Sequence, residues 1–406
     1  MTHTKEFFDW IEAHINDNPS KLRLKYTGRK SDIDIQAAIT QIECRRKFNE
    51  KLGETLSRFP DFIFPSLLAG EQSTSDRLAT YHASLIDEGA RVVDLTAGLG
   101  IDVFHFAEKA SEVTAIEMDP DRFAALEFNA HGLGFNNIKA YNADCRDFVE
   151  ECLEKNIQFD IAFIDPARRD TEGKRVFALA DCQPDVVAML PALSQICRRL
   201  IIKASPMLDI AHTVSALGTH TKWACALGTP TDCKELLIEL DFAKDYKEPQ
   251  IEALTLGVDN IWSFSFTRSE EAEAPLPQYK AMIKDGDYLY EGFPVLMKAG
   301  AFKLVAEKFG LSIFNPNTKL YYATENKENF PGRVYKVIAV LPYASKVIKR
   351  FKREYPEATV ATRNFGMSAD ALRAKLGIKD GGHIRVYGLT DQREERILVV
   401  VETIKN

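Results

Sequence analysis

The stretch that most constrains the fold is Arg91-Val92-Val93-Asp94-Leu95-Thr96-Ala97-Gly98-Leu99-Gly100-Ile101-Asp102. A short apolar run ends in an acid, enters a loop of small residues, and opens the pattern Ile101-Asp102-Val103-Phe104-His105-Phe106. That reads as a strand, a tight turn and a helix start, the first unit of a nucleotide-binding α/β domain. Gly98 and Gly100 carry no Cβ and tolerate positive φ, so a ligand can approach the backbone closely. The loop is not the Gly-x-Gly-x-x-Gly of dinucleotide enzymes, and alone it equally fits a plain strand-to-helix turn.

Three later stretches decide between these. Val113-Thr114-Ala115-Ile116-Glu117-Met118-Asp119-Pro120 puts Glu117 at a strand end. It lies about 20 residues past the glycine loop, where a carboxylate can accept hydrogen bonds from both hydroxyls of a ribose. Asn142-Ala143-Asp144-Cys145 follows an apolar stretch containing Ile138. Phe159-Asp160-Ile161-Ala162-Phe163-Ile164 reads as a buried strand halted by Asp165-Pro166.

In order and spacing these four stretches resemble the class I S-adenosylmethionine-dependent methyltransferases, over residues 89–268. The resemblance implies that the glycine loop cradles the methionine end of the cofactor, with Asp94 near its ammonium and Glu117 on the ribose. It also implies that Asp144 accepts from the adenine amino group, with Cys145 beside the ring. Thr96, Ala97, Gly98, Gly100, Asp102 and Met118 complete the implied cofactor-binding set. The Asp-Leu-Thr-Ala-Gly-Leu-Gly form looks closest to bacterial rRNA guanine N2-methyltransferases, with Thr96 where a first glycine often stands.

Amine methyltransferases of this class often carry an (Asp/Asn/Ser)-Pro-Pro-aromatic loop after the fourth strand. Its first side chain orients the target amine, and little more is needed because the sulfonium is already an excellent leaving group. Here the loop is Asp165-Pro166-Ala167-Arg168, so Asp165 and Pro166 match and the aromatic is missing. Asp165, Pro166 and Arg168 are the implied catalytic set. The Arg168 guanidinium can stack on a base, hold a phosphate, or simply pair with Asp170. Asp-Pro-x-Arg is also similar to the loop of pyrimidine C5-methyltransferases, which need a cysteine after the fifth strand. Lys203-Ala204-Ser205-Pro206 stands there instead, which argues against that chemistry. No second acid or Asn joins Asp165 in its own stretch, so a metal-dependent transfer finds no support and no metal is expected.

The remainder frames this core. The N-terminus is charged and amphipathic, and no run of about 20 apolar residues follows, so a cytoplasmic location and no membrane contact are expected. The cysteines at 44, 145, 152, 182, 197, 225 and 233 form no Cys-x-x-Cys pair and read as reduced thiols. Phe7, Phe8, Ile11 and Ile15, then Ile33 to Phe48, recur at helical spacing, and residues 1–88 read as an N-terminal helical domain. Within it Lys21, Arg23, Lys25, Arg29 and Lys30 form a basic cluster that fits RNA phosphates or a solvated face. Gln72 to Ser75 fits two compatible roles, a wall of the cofactor pocket and a capping box of Ser73 with Asp76.

Residues 89–277 read as a Rossmann-like methyltransferase domain, a parallel sheet with helices on both faces. Glu235 to Leu240 and Trp262 to Phe266 read as its closing antiparallel pair, and Trp223 to Ala226 as a strand or part of a turn. Ser269 to Pro277 reads as an acidic linker or hairpin, and Val295 to Phe309 as a helix stopped by Gly310. Residues 278–331 read as a ferredoxin-like segment. Residues 332–406, with order β-α-β-α-β-β, resemble the THUMP-like domain behind such methyltransferases, which implies RNA presentation.

Net charge is −7, but residues 278–406 hold 22 Lys and Arg against 14 Asp and Glu, while the rest holds 30 against 45. An acidic body with a basic C-terminal module suggests a polyanion contact there. Lys346, Lys349, Arg350, Lys352, Arg353 and Arg363 are the candidate RNA-contacting residues. The expectation is an S-adenosylmethionine-dependent enzyme that methylates an exocyclic base nitrogen of rRNA or tRNA. The alternatives are a protein or small-molecule substrate, or an RNA-binding protein that holds the cofactor without transfer.

Overall fold

The computed structural model describes residues 4–167, 178–258, 260–277 and 282–404. It divides into two units, Met1–Lys222 with Ile238–Tyr246, and Trp223–Leu237 with Lys247–Asn406.

The first unit begins with helices whose starts are set by short polar side chains. Helix α1 (Lys5–His14) buries Phe7 and Ile11. Asn18 caps α2 (Pro19–Tyr26), Asp34 caps α3 (Ile35–Phe48), Ser66 caps α5 (Leu67–Gln72) and Ser75 caps α6 (Asp76–Ser84), with α4 (Gly53–Arg58) between them. Each cap accepts an otherwise orphaned N–H, worth about 1 kcal/mol. The expected capping box of Ser73 and Asp76 is therefore corrected. Ser75 accepts the Leu78 N–H, and the Ser73 hydroxyl turns back to the Gly70 carbonyl. These helices share their core with the sheet. Ile39, Ile42, Phe62 and Phe64 pack in one cluster with Val92, Val113, Phe106 and Phe163.

The inner strands of the sheet follow from apolar runs buried on both faces, while the edge strand Ile138–Asn142 is more exposed. Strand β1 (Arg91–Asp94) leads to α7 (Ile101–Ala107), β2 (Glu112–Glu117) to α8 (Pro120–Gly132) and β3 (Ile138–Asn142) to α9 (Cys145–Lys155). Then come β4 (Phe159–Ile164), α10 (Val186–Ile196), β5 (Cys197–Ala204) and α11 (Ile210–Leu217). The five strands are parallel in the order β3-β2-β1-β4-β5. With β1 between β2 and β4, the order reverses beside β1, and ligands of such sheets bind outside the strand ends at that reversal.

The second unit contains most of β6 (Thr221–Gly228), part of β7 (Cys233–Asp241), β8 (Gln250–Leu256) and β9 (Ile261–Phe266). The late strands are corrected here, because β9 pairs antiparallel with β8, a strand the periodicity had not marked. The presumed linker is also corrected. It holds α12 (Arg268–Glu273), opened by a capping box of Thr267 and Glu270. Glu271 on that helix accepts the N–H groups of Phe302, Lys303 and Leu304 at 3.1, 2.8 and 3.0 Å.

Beyond it come β10 (Tyr288–Gly292), α13 (Pro294–Ala299), α14 (Phe302–Phe309), β11 (Ser312–Ile313), β12 (Tyr321–Ala323) and β13 (Gly332–Pro342). The single helix expected over 295–309 is thus two, because Gly300 sits at φ +89° in the left-handed region and ends the first. The chain closes with α15 (Ser345–Glu354), β14 (Thr359–Arg363), α16 (Ala369–Leu376), β15 (Ile384–Thr390) and β16 (Arg396–Thr403), the β-α-β-α-β-β order that was expected.

These strands make one seven-stranded sheet, β11-β12-β10-β13-β16-β15-β14. Alternation along β16 sends Leu398 and Val400 to the face covered by α15 and α16, and Val399 and Val401 to the other. Tyr335 and Tyr387 lie on that second face with Leu289 and Phe314. Among the described residues no helix is long and apolar enough to cross a membrane.

Candidate active site

The loop after β1 is stapled to β2. The Ala97 N–H donates to the Ile116 carbonyl and the Gly98 N–H to Glu117 Oε2, at 2.9 and 2.8 Å. Glu117 Oε1 accepts the Asp119 N–H at 2.7 Å, so the carboxylate is fixed by backbone donors on both oxygens. Gly98 has φ +57°, and a Cβ added there would meet nothing nearer than the Thr96 carbonyl oxygen at 3.9 Å. Gly100 differs: with φ +89°, its Cβ would strike the Phe104 ring at 2.7 Å. Gly100 therefore serves helix packing, and Gly98 keeps open the space beside Glu117.

Asp94 ends β1, buried, with Oδ1 accepting the Thr96 N–H at 2.9 Å. Burial pushes its carboxyl up to about 8, opposed by that hydrogen bond and by Lys203, and reinforced by Asp102 and Asp165. The Thr96 hydroxyl accepts the Asp165 N–H at 2.7 Å, tying the glycine loop to the loop after β4. Pro166 is buried, and the Ala167 N–H reaches the Gln183 carbonyl at 2.7 Å. Arg168 lies outside the described residues.

Behind Asp165 stands a buried polar network. Lys203 on β5, 6% exposed, donates to Asp165 Oδ2 at 2.6 Å and to the Thr74 hydroxyl at 2.9 Å. Thr74 in turn donates to Asp102, and His82 Nδ1 lies 2.7 Å from Asp102 Oδ1. Burial opposes the charge on Asp102, but His82 and Lys203, with the His82 and Thr74 hydrogen bonds, hold its carboxyl well below the usual range. Asp102 is thus spent on the interior side of the site. Lys203 and His82 were not singled out from the sequence, and Thr74 only as part of the Gln72 to Ser75 stretch. The available signal was a lysine ending the buried run Leu200-Ile201-Ile202, where an unpaired charge is costly.

The far end of the crevice carries Met118, 70% exposed, and Asn142, whose amide donates to the Glu117 and Met118 carbonyls at 2.8 and 3.1 Å. Asp144 caps α9 and pairs with Arg146, whose Nη2 lies 2.5 Å from Oδ2. The hydrogen bond from Arg146 lowers the Asp144 carboxyl. Cys145 is buried and its thiol is pushed up to about 11, chiefly by that burial.

The candidate RNA-contacting residues fall in the second unit. Lys346, Lys349, Arg350, Lys352 and Arg353 are all exposed on α15, opposite the buried Val347 and Phe351. Arg363 ends β14 and pairs with Glu291 at 2.8 Å.

Three family models match the chain: "Conserved hypothetical protein 95" over residues 77–181, a ferredoxin-like domain over 288–331 and a THUMP domain-like model over 332–403. An uncharacterised RNA methyltransferase of Mycoplasma mobile is 29% identical over 108 residues, covering 27% of this chain and 29% of the relative. A 23S rRNA (uracil-C5)-methyltransferase of Aeromonas hydrophila is 30% identical over 166 residues, covering 36% and 37%. The chain therefore spans about a third of the length of the curated relatives it matches. A solved protein of Porphyromonas gingivalis W83, proposed to be a methyltransferase, aligns over 98% of both chains with TM-score 0.86 and 29% identity. The chain thus has a methyltransferase-like α/β fold followed by ferredoxin-like and THUMP-like domains.

Proposed function

We propose that this protein methylates an exocyclic nitrogen of a base in rRNA or tRNA. The observation that carries the reading is the placement of Asp165. Its N–H is tied to Thr96 and its Oδ2 to Lys203, while among the described residues no donor meets Oδ1. That leaves one carboxylate oxygen, at the end of β4 and beside the glycine loop, to accept a hydrogen bond from a substrate amine.

The crevice suits the cofactor on its own terms. Gly98 leaves open space where a side chain would stand, Glu117 is a fixed acceptor pair, and Asp94 is a buried acid whose charge would be favoured by a neighbouring cation. Bound S-adenosylmethionine supplies an activated methyl group. The chain's own task is to orient: Asp165 Oδ1 holds one amine hydrogen and aims the nitrogen, and Lys203 keeps Asp165 from rotating. A base within a helix must be flipped out to reach this depth.

Attack on a pyrimidine C6 is disfavoured by the same strand end. Positions 203–206 hold no thiol, and Cys197, at the opposite end of β5, has its thiol pushed up to about 12 by burial. The protein's domains are taken as 1–88, 89–277, 278–331 and 332–406, with the last two presenting RNA. Nucleoside mass spectrometry of RNA from cells with and without the protein tests this. A methylated base nucleoside lost with the gene supports it, and identical profiles count against it.

A further inference from the structure

On the face of the seven-stranded sheet away from α15, one carboxylate meets three guanidiniums. Glu291 on β10 lies 2.8 Å from Arg363, 3.5 Å from Arg385 and 3.8 Å from Arg333. The hydroxyls of Tyr387 and Tyr335 donate to Glu291 Oε2 at 2.9 and 3.4 Å. Arg385 donates to both hydroxyls, at 3.2 and 3.1 Å, with its guanidinium 5.8 and 5.6 Å from the two ring centres. Five side chains from β13, β14 and β15 thus converge on one acid from β10.

The charges do not balance. Among the described residues Glu291 is the only carboxylate paired with these three arginines, leaving a local surplus of about two positive charges. Glu291 is sheltered, its side chain 14% exposed, while those of Arg333 and Arg363 are 41% and 43% exposed. The acid therefore sits at the base and the cations reach outward. A guanidinium carries five N–H donors. Arg333 spends none on a hydrogen bond among the described residues, and Arg363 uses two, to Glu291 and to the Thr362 carbonyl. Such forks match phosphate oxygens bidentately, and Arg385 is locked by the tyrosines beneath them.

We infer that Arg333, Arg363 and Arg385, organised by Glu291, form a phosphodiester-binding site through which the C-terminal module holds RNA. This rests on the RNA reading above and locates the contact on the face opposite α15. The basic residues of α15 then form a solvated surface.

The test is equilibrium binding of a labelled RNA hairpin to the full chain at several salt concentrations. Two variants are compared, Arg333→Gln with Arg363→Gln, and Lys349→Glu with Arg350→Glu and Arg353→Glu. The first should weaken binding about tenfold or more and lower the salt slope by roughly two, one per lost phosphate contact. Its affinity for S-adenosylhomocysteine should not change, and the second variant should bind RNA nearly as wild type.

Because Arg363→Gln removes an ion pair, Arg333→Gln alone is measured too and should still lower the slope by about one. Wild-type binding left intact by both arginine variants overturns the site but spares the RNA reading. A wild-type chain that binds inorganic phosphate and not the hairpin, or binds neither, overturns both.

Discussion

Lys203 Nζ stands 2.6 Å from Asp165 Oδ2 and 3.9 Å from Asp102 Oδ2, so one buried ammonium serves the acid facing the crevice and the acid facing the core. Asp165 is the more exposed of the two, 32% against 10% for their side chains. The pairing explains how a carboxylate at a loop tip keeps a single orientation.

Replacing Lys203 by Met should therefore disturb both sides at once. Asp165 loses its cationic partner and Asp102 keeps only His82 and Thr74, and the expected cost is about 3 kcal/mol of stability, read from urea unfolding. Methyl transfer to RNA should fall far more than cofactor affinity. Lys203→Arg should restore stability better than transfer, because its planar fork cannot reproduce the ammonium's position.

Asp165→Ala tests the orienting role separately. Transfer should drop by about 100-fold or more, as for a lost preorganised acceptor, with S-adenosylhomocysteine affinity nearly unchanged. A parallel loss of cofactor affinity would assign Asp165 to cofactor binding instead.

Glu117→Ala should weaken cofactor binding by about 1–3 kcal/mol, the range for hydrogen bonds to a charged acceptor. It also frees the Gly98 and Asp119 N–H groups, so Glu117→Gln should retain part of the affinity. Unaltered calorimetric affinity in the Ala variant removes Glu117 from the ribose.

Asp94 makes the protein's response to pH specific. Its folded carboxyl stands near 8, above an ordinary 3.8, so the folded chain binds a proton that the unfolded chain has lost. Its stabilising effect is complete below about pH 4 and is lost as pH rises toward 8. Urea midpoints across that window should decline more in the wild type than in Asp94→Asn. A cationic cofactor near Asp94 favours the ionised form, so binding should release a proton below pH 8 and tighten as pH rises. Calorimetry in buffers of different ionisation enthalpy reads this directly.

Much of the core was legible because its signals are local. The acid-ended strands and the two glycines lie within short stretches, and the final β-α-β-α-β-β order alternates clearly between core faces. The break at Gly300 was hidden because apolar periodicity runs through it and only the backbone turns. Strand β8 was missed because Gln250-Ile251-Glu252 mixes polar residues into its start. The network behind Asp165 was out of reach for another reason. Thr74 lies 28 positions from Asp102 and 129 from Lys203, and only the packing of α6 on α7 and the pairing of β5 with β4 bring these stretches together.

The most direct test of the whole account is titration of the purified, folded chain with S-adenosylhomocysteine, alongside Gly98→Ala. The added methyl would meet no protein atom nearer than 3.9 Å, so the variant should fold at a cost of about 1 kcal/mol for its positive φ. The account predicts one-site uptake by the wild type and loss of that uptake in the variant, since the methyl fills the cofactor's space. A wild-type chain with native circular dichroism that takes up no S-adenosylhomocysteine would contradict it.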